Sequence, residues 1–442
     1  MRITVFALLI TVLALFLSTA AFPQIAVRKQ GYVPYSEEPI NYLSDKVSDS
    51  VAKLQQKLAR GEEKLTYEPG RGYLRSVLEK LGIPVSSQTL VFSKTSFQFR
   101  KITPETPRAL YFNDDVYVGW VQDGKAIEIV SFDATQGAIF YLLDEPKVEK
   151  PAFQRAELDC TQCHVAAATR GVPGVFVRSV YTNPTGTQAA KAPSFTTGQE
   201  SPYNDRWGGW YVTGEHGKQA HMGNVVVHDR EHPDQIDRAA GSNVTDLTKL
   251  FNPAPYLSLE SDIVAHLVLD HQTQMHNLIT LTNYKTRLAL YNKSVDAKEY
   301  ERPAEELVRY LLFANEAPLT EPVRGSSPFA KEFSAKGPRD PLGRSLRDFD
   351  LRTRTFRYPC SYLIYSDSFD AIPEPARQYV YRRLLEVLTG REQGPEFARL
   401  SNEDRRAVLE ILLATKPGLP QEWKFAQRAA RLSKQSTPSR KE

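Results

Sequence analysis

The chain has 442 residues, with 56 Lys plus Arg against 52 Asp plus Glu and 41% hydrophobic residues; its mean hydropathy of −0.41 excludes a polytopic membrane protein. Three cysteines are too few for a disulfide scaffold, and 29 Pro with 24 Gly exclude a collagen-like or low-complexity chain. The net charge of +4 sits at one end: Lys424, Arg428, Arg431, Lys434, Arg440 and Lys441 against Glu442 make +5, so the preceding 423 residues sum to −1 and offer nothing to nucleic acid.

In chain order, residues 1–21 read as a secretory signal peptide. Arg2 precedes an uncharged apolar run from Ile3 to Leu17, followed by the small residues Ser18, Thr19, Ala20 and Ala21. No charge separates Arg2 from Arg28, so an uncleaved N-terminal anchor in the inner membrane is the alternative. Both place the folded part outside the cytoplasm, in the periplasm or otherwise exported. Residues 22–150 predict an α+β domain. Leu43, Val47, Val51, Leu54 and Leu58 recur at helical steps, as do Leu74, Val77, Leu78 and Leu81 before Gly82. The β-rich runs Val116 to Val121 and Ala126 to Phe132, joined through Gln122-Asp123-Gly124, then predict a hairpin.

Residues 151–316 form the region where function is expected. Its first part, to about residue 235, is irregular, rich in Gly, Pro and aromatics, and holds five of the eight histidines. A long helix is expected from about Leu259 to Leu281. Residues 317–345 read as a linker or long surface loop. Residues 346–423 predict a helical domain, with one helix from Glu374 to Leu388 before Gly390. Another is opened by a capping box at Ser401-Asn402-Glu403-Asp404 and runs to Thr415. The tail 424–442 is a solvated basic run or a contact for an acidic partner or anionic lipid, so it and the N-terminal segment are candidates for peripheral membrane contact.

Two of the three cysteines stand in Cys160-Thr161-Gln162-Cys163-His164, a C-x-x-C-H sequence with the spacing of c-type haem attachment. Residues three apart share one face of a helical turn, so both thiols can add to the vinyl groups of one porphyrin while the adjacent imidazole falls under the iron. Cys160 and Cys163 are thus the expected thioether anchors of one covalent haem c, and His164 the expected metal ligand. A zinc half-site would need further ligands beyond Cys360, and a redox dithiol would want a βαβ context that is missing.

In these residues the chain resembles c-type cytochromes. Around them, the runs Val172-Pro173-Gly174-Val175-Phe176-Val177-Arg178, Arg206-Trp207-Gly208-Gly209-Trp210-Tyr211-Val212-Thr213-Gly214 and His221-Met222-Gly223-Asn224 are similar to a family of large exported bacterial haem c proteins of unsettled function. The resemblance implies a haem cofactor and no substrate. The expected fold is mainly α with the N-terminal α+β region, a cytochrome c-like haem module in the loop-rich centre and the helical C-terminal domain. A carbonyl near Val172 or Pro173 is the expected acceptor of the His164 Nδ1 proton.

Mechanism turns on the sixth iron ligand. Met222 lies in a glycine-flanked turn with His216 and His221, where glycines allow close approach to a porphyrin face. His271 and Met275 lie on the expected buried stripe of the long helix, with His266 and His276 facing elsewhere. Met222 is the candidate, with a surface hairpin of solvated histidines as the alternative for its loop, and His271 is its rival, with core packing as the alternative for its helix. Two protein ligands make an electron carrier, whereas an open sixth position permits peroxide or O₂ chemistry. Arg170, Arg178 and Arg206 are candidate partners of the propionates, and Cys360 reads as a small buried residue. The leading expectation is therefore a periplasmic electron-transfer protein with a redox partner protein. Its rivals are a peroxidase- or oxygenase-like haem c enzyme and a haem-bearing sensor.

Overall fold

The computed structural model describes residues 33–44, 46–294 and 296–425. The expected signal segment 1–21 and the tail beyond Phe425 lie outside them. The described residues from Val33 to Phe425 pack as one compact unit. Among the described residues no helix is long and apolar enough to cross a membrane.

The chain opens with α1 (Ser50–Ala59), capped by Asp49, whose carboxylate accepts from the amides of Val51 and Ala52. The expected helical pattern began at Leu43, but the cap starts the helix seven residues later. Helix α2 (Leu74–Leu81) ends as expected at Gly82, which takes a positive φ of 66°. Strands β1 (Thr89–Val91), β2 (Arg108–Phe112), β3 (Val116–Trp120), β4 (Ala126–Asp133), β5 (Gly137–Asp144) and β6 (Gln154–Arg155) then follow as an antiparallel meander. The expected hairpin is present, pairing Val116 with Ser131 and Gly119 with Glu128.

Helix α3 (Glu157–His164) carries the C-x-x-C-H sequence and is followed by β7 (Val177–Val180), β8 (Ser194–Thr197), β9 (Trp210–Tyr211) and β10 (Gly214–Glu215). Helix α4 (Ile263–Tyr291) is the longest element; α5 (Lys298–Leu311), β11 (Arg324–Gly325), α6 (Phe329–Ala335), α7 (Asp367–Asp370), α8 (Glu374–Leu388) and α9 (Asn402–Thr415) complete the order. The capping box at Ser401 and Asp404 forms as expected.

The expected fold class, mainly α with a cytochrome c-like haem module, is corrected. Helix accounts for 35% and strand for 14%, and a seven-stranded antiparallel sheet in the order β6-β5-β4-β3-β2-β1-β9 makes this an α/β fold with a central sheet. The physical reason is burial on both faces. Tyr111, Val118, Ile129 and Ile139 face one apolar core, shared with α1 and α2. Phe112, Tyr117, Phe132 and Phe140, on the opposite face, enter a second core shared with α4, α5 and α8. The seventh strand, β9, comes from the Gly- and Trp-rich run that reads as irregular and pairs with β1 across more than a hundred residues.

The second core also takes residues from every region between Val91 and Trp423. The segment 317–345 follows suit: it carries α6, which buries Phe329 and Phe333, and its Val323 amide bonds the Leu351 carbonyl. It packs into the body of the protein. Helix α4 passes through the middle of this core, flanked by α5, α6, α7 and α8 and by β5, β7 and β11. His266 and His276, expected to face away from the buried stripe, are therefore fully buried along with His271 and Met275.

Candidate functional site around Cys160, Cys163 and His164

Strand β6 is the short outer strand of the sheet, and it delivers the chain directly into α3. The amide of Ala156 bonds the Phe140 carbonyl at 3.0 Å and the amide of Cys160 bonds the Ala156 carbonyl at 3.1 Å. Arg155 pairs with Glu157 in the first turn, where Glu157 and Asp159 suit the positive end of the helix. All three cysteines are free thiols; Cys163 is exposed, Cys160 half-buried and Cys360 buried. Burial, with Glu128, Asp159 and Glu157 adding to it, pushes the Cys160 thiol up to about 12.

His164 closes α3, and the loop after it folds back onto it. The amide of Gly174 donates to the His164 carbonyl at 3.0 Å, the Thr169 hydroxyl donates to the same carbonyl at 3.1 Å, and the imidazole Nδ1 donates to the Gly174 carbonyl at 2.8 Å. The acceptor is one residue beyond the expected Val172 or Pro173. A carbonyl can only accept, so the neutral ring carries its proton on Nδ1 and keeps a lone pair on Nε2. Burial lowers the imidazole pKa, with the Gly174 bond working against it. The ring rests between Phe140 at 5.0 Å and Phe176 at 5.7 Å.

Beside this ring one sheet face is incompletely covered. Alternation puts Leu110, Gly119, Glu128 and Leu142 in one row across β2 to β5, next to Phe112, Tyr117, Val130 and Phe140. Phe112, Tyr117 and Phe140 are buried, whereas Leu110, Val130, Glu128 and Leu142 are half-exposed. Arg108 lies over Gly119, where a Cβ would meet its Nη2 at 2.3 Å, and pairs with Glu128 at 2.6 Å. Both charges act on Cys160 and His164. The Cys160 thiol and the imidazole thus border a half-exposed apolar shelf with one ion pair in its row, and Cys163 follows on the exposed side of the same turn.

The candidate sixth ligands lie in other surroundings. Met222 is fully buried in a small cluster with Tyr181 and Val227, and its sulfur accepts from the Ser179 hydroxyl at 3.7 Å. His271 stacks on Tyr310 and Phe313; its Nδ1 donates to Gln199 Oε1 at 2.6 Å and its Nε2 accepts from the Ser361 hydroxyl at 2.8 Å. Burial pushes its pKa down to about 3. Both its nitrogens are occupied. Among the described residues, the hydrogen-bond and ring partners of the His164 imidazole are Gly174, Phe140 and Phe176, and neither Met222 nor His271 is one of them.

The loop histidines are buried, not solvated. His216 and His221 lie 4.6 Å apart, and His221 and His266 both pack on Trp207. His221 Nε2, His266 Nδ1, Tyr203 Oη and Asp270 Oδ1 have no hydrogen-bond partner among the described residues. His221 Nδ1 accepts from the Gly223 amide and His266 Nε2 faces the Tyr211 carbonyl, which makes His221 Nε2 a donor and His266 Nδ1 an acceptor. The cluster around Trp207 therefore offers the donors Nε2–H and Tyr203 O–H and two acceptors, a complement suited to internal water.

The arginines singled out in the sequence have other tasks. Arg170 pairs with Glu306, Arg178 is exposed, and buried Arg206 binds Asp270 and the carbonyls of Gln199 and Ser201. Arg108, Asn277 and the shelf were not expected, because strand register brings Arg108 and the shelf to α3 and the packing of α4 brings Asn277 to Val175 in the loop after it.

Among the described residues no group of three or more His, Cys, Asp or Glu side chains is arranged to hold a metal ion, which is what a zinc site at Cys160 and Cys163 would require. Compared with known proteins, the chain matches no family, no curated relative and no solved structure.

Proposed function

We propose that this protein is an exported haem c protein that passes electrons to or from a partner protein through one haem, held by Cys160, Cys163 and His164. One observation carries the reading. The imidazole ending the helical turn of two free thiols has Nδ1 tied to the Gly174 carbonyl, and its Nε2 makes no hydrogen bond among the described residues. A proximal ligand needs this tautomer and this second-shell restraint. The half-exposed floor of Leu110, Val130 and Leu142 suits an apolar ring with one edge toward solvent. A bound haem would supply an iron that cycles between two oxidation states. The chain's own residues anchor it, orient the imidazole and cover one face.

A second reading, a peroxidase- or oxygenase-like haem enzyme, is favoured by the engagement of Met222 with Ser179 and of His271 with Gln199 and Ser361. Absorption spectra and CO binding of the reduced, exported protein separate the two. A six-coordinate form that ignores CO, and that binds CO once Met222→Leu is introduced, supports the carrier. Rapid CO binding by the parent protein moves the assignment to the enzyme, and absence of covalent haem removes both.

A further inference from the structure

Asn277, on α4, binds both polar groups of Val175. Its Oδ1 accepts from the Val175 amide at 3.2 Å and its Nδ2 donates to the Val175 carbonyl at 2.8 Å. That amide belongs to the same peptide group as the Gly174 carbonyl, which accepts from His164 Nδ1 at 2.8 Å. A single peptide unit therefore links the two side chains, its N–H donating to Asn277 and its C=O accepting from the imidazole. Gly174 is required for this arrangement: a Cβ there would stand 2.1 Å from Asn277 Oδ1. Asn277 is fully buried, so neither bond competes with water.

Hydrogen bonds in such a chain polarise one another. An acceptor on the Val175 N–H makes the Gly174 oxygen more negative, which strengthens its hold on the Nδ1 proton and makes Nε2 more basic. We infer that Asn277 is a positioning residue for His164, fixing its Nδ1–H tautomer and raising the donor strength of Nε2 through the Gly174–Val175 peptide. This rests on the haem reading for its consequence at iron, but its effect on the imidazole does not.

Two measurements test it. In the full chain prepared without haem and with selectively labelled histidines, nitrogen NMR of His164 in the parent shows the Nδ1–H tautomer alone. Asn277→Ala admits the other tautomer, while Asn277→Asp, which keeps an oxygen opposite the Val175 N–H, retains the parent tautomer. In the haem-loaded protein, Asn277→Ala shifts the ratio of reduced to oxidised haem several-fold toward reduced at a fixed poise. Asn277→Asp leaves it unchanged or moves it the other way. An unchanged tautomer in Asn277→Ala, or equal shifts in both variants, overturns the proposal. A parent protein without covalent haem defeats the haem reading instead, and the NMR result still decides the role of Asn277.

Discussion

Two histidine-bearing helices of this protein use imidazole in opposite ways. On α4, His271 has both nitrogens engaged and two aromatic rings stacked on it, so the side chain is a structural strut in the centre of the core. On α3, His164 has one nitrogen tied to a carbonyl and the other without a hydrogen-bond partner, beside a half-exposed shelf. The difference teaches that burial and polarity do not by themselves mark a ligand. What matters is whether a lone pair is left both unspent and accessible: His271 spends its own on Ser361, the unpartnered Nδ1 of His266 on the same helix is enclosed in the core, and His164 Nε2 stands beside the half-exposed shelf.

The contrast can be broken most decisively at the thiols. Replacing both Cys160 and Cys163 with Ala abolishes covalent haem, read as complete loss of haem stain on a denaturing gel; haem that survived the change would sink the central reading. Next in size is His271→Ala. It strands Gln199 and Ser361 and opens a cavity, so stability falls by about 4 kcal/mol in denaturant titration while the haem spectrum stays as in the parent. A spectral change would instead make His271 an iron ligand.

The same variant has a pH signature. The folded state holds His271 neutral down to about 3, whereas the unfolded chain protonates it at the ordinary value of about 6.5. Unfolding therefore takes up a proton in that window, and the parent loses this part of its stability as the pH falls. The deficit of His271→Ala should narrow by about 1.4 kcal/mol per pH unit below pH 6, measured by paired titrations at pH 7, 6 and 5. A deficit independent of pH would mean that the imidazole takes up its proton in the core as readily as in the unfolded chain, against the lowered value that burial sets. The smallest effect is expected at Leu158, which is 74% exposed on the outer side of α3. Leu158→Ser should change stability by less than about 0.5 kcal/mol and leave haem attachment intact, and a larger loss would show that this side of α3 is covered.

What could be read in advance follows from the range of the interactions. Helix α2 stops at Gly82 because a left-handed cap is a one-residue property, and α9 starts at Ser401 because its capping box spans four residues. The long helix is expected from about Leu259 to Leu281, whereas Asp262 caps it so that it starts at Ile263. Beyond Leu281, polar side chains are satisfied locally or by a neighbour: Thr282 and Thr286 bond carbonyls one turn back and Asn283 bonds the Ala371 carbonyl, so the helix runs on to Tyr291. The site divides in the same way. Cys160, Cys163 and His164 are legible because three-residue spacing is local chemistry, while Arg108, Asn277 and the shelf come from strands and a helix distant in sequence.

By itself, then, the sequence determined the spacing that puts Cys160, Cys163 and His164 on one helical turn, the caps and breaks of several helices and the β3–β4 hairpin, each set by residues within a few positions of one another. Only the tertiary structure decided that the chain is built on a central sheet, that α4 is buried all round from Ile263 to Thr280 and that Asn277 reaches the Gly174–Val175 peptide. Strand pairing such as β1 with β9, and the spending of polar side chains on distant partners, depend on contacts between residues far apart in the chain, which no local pattern encodes.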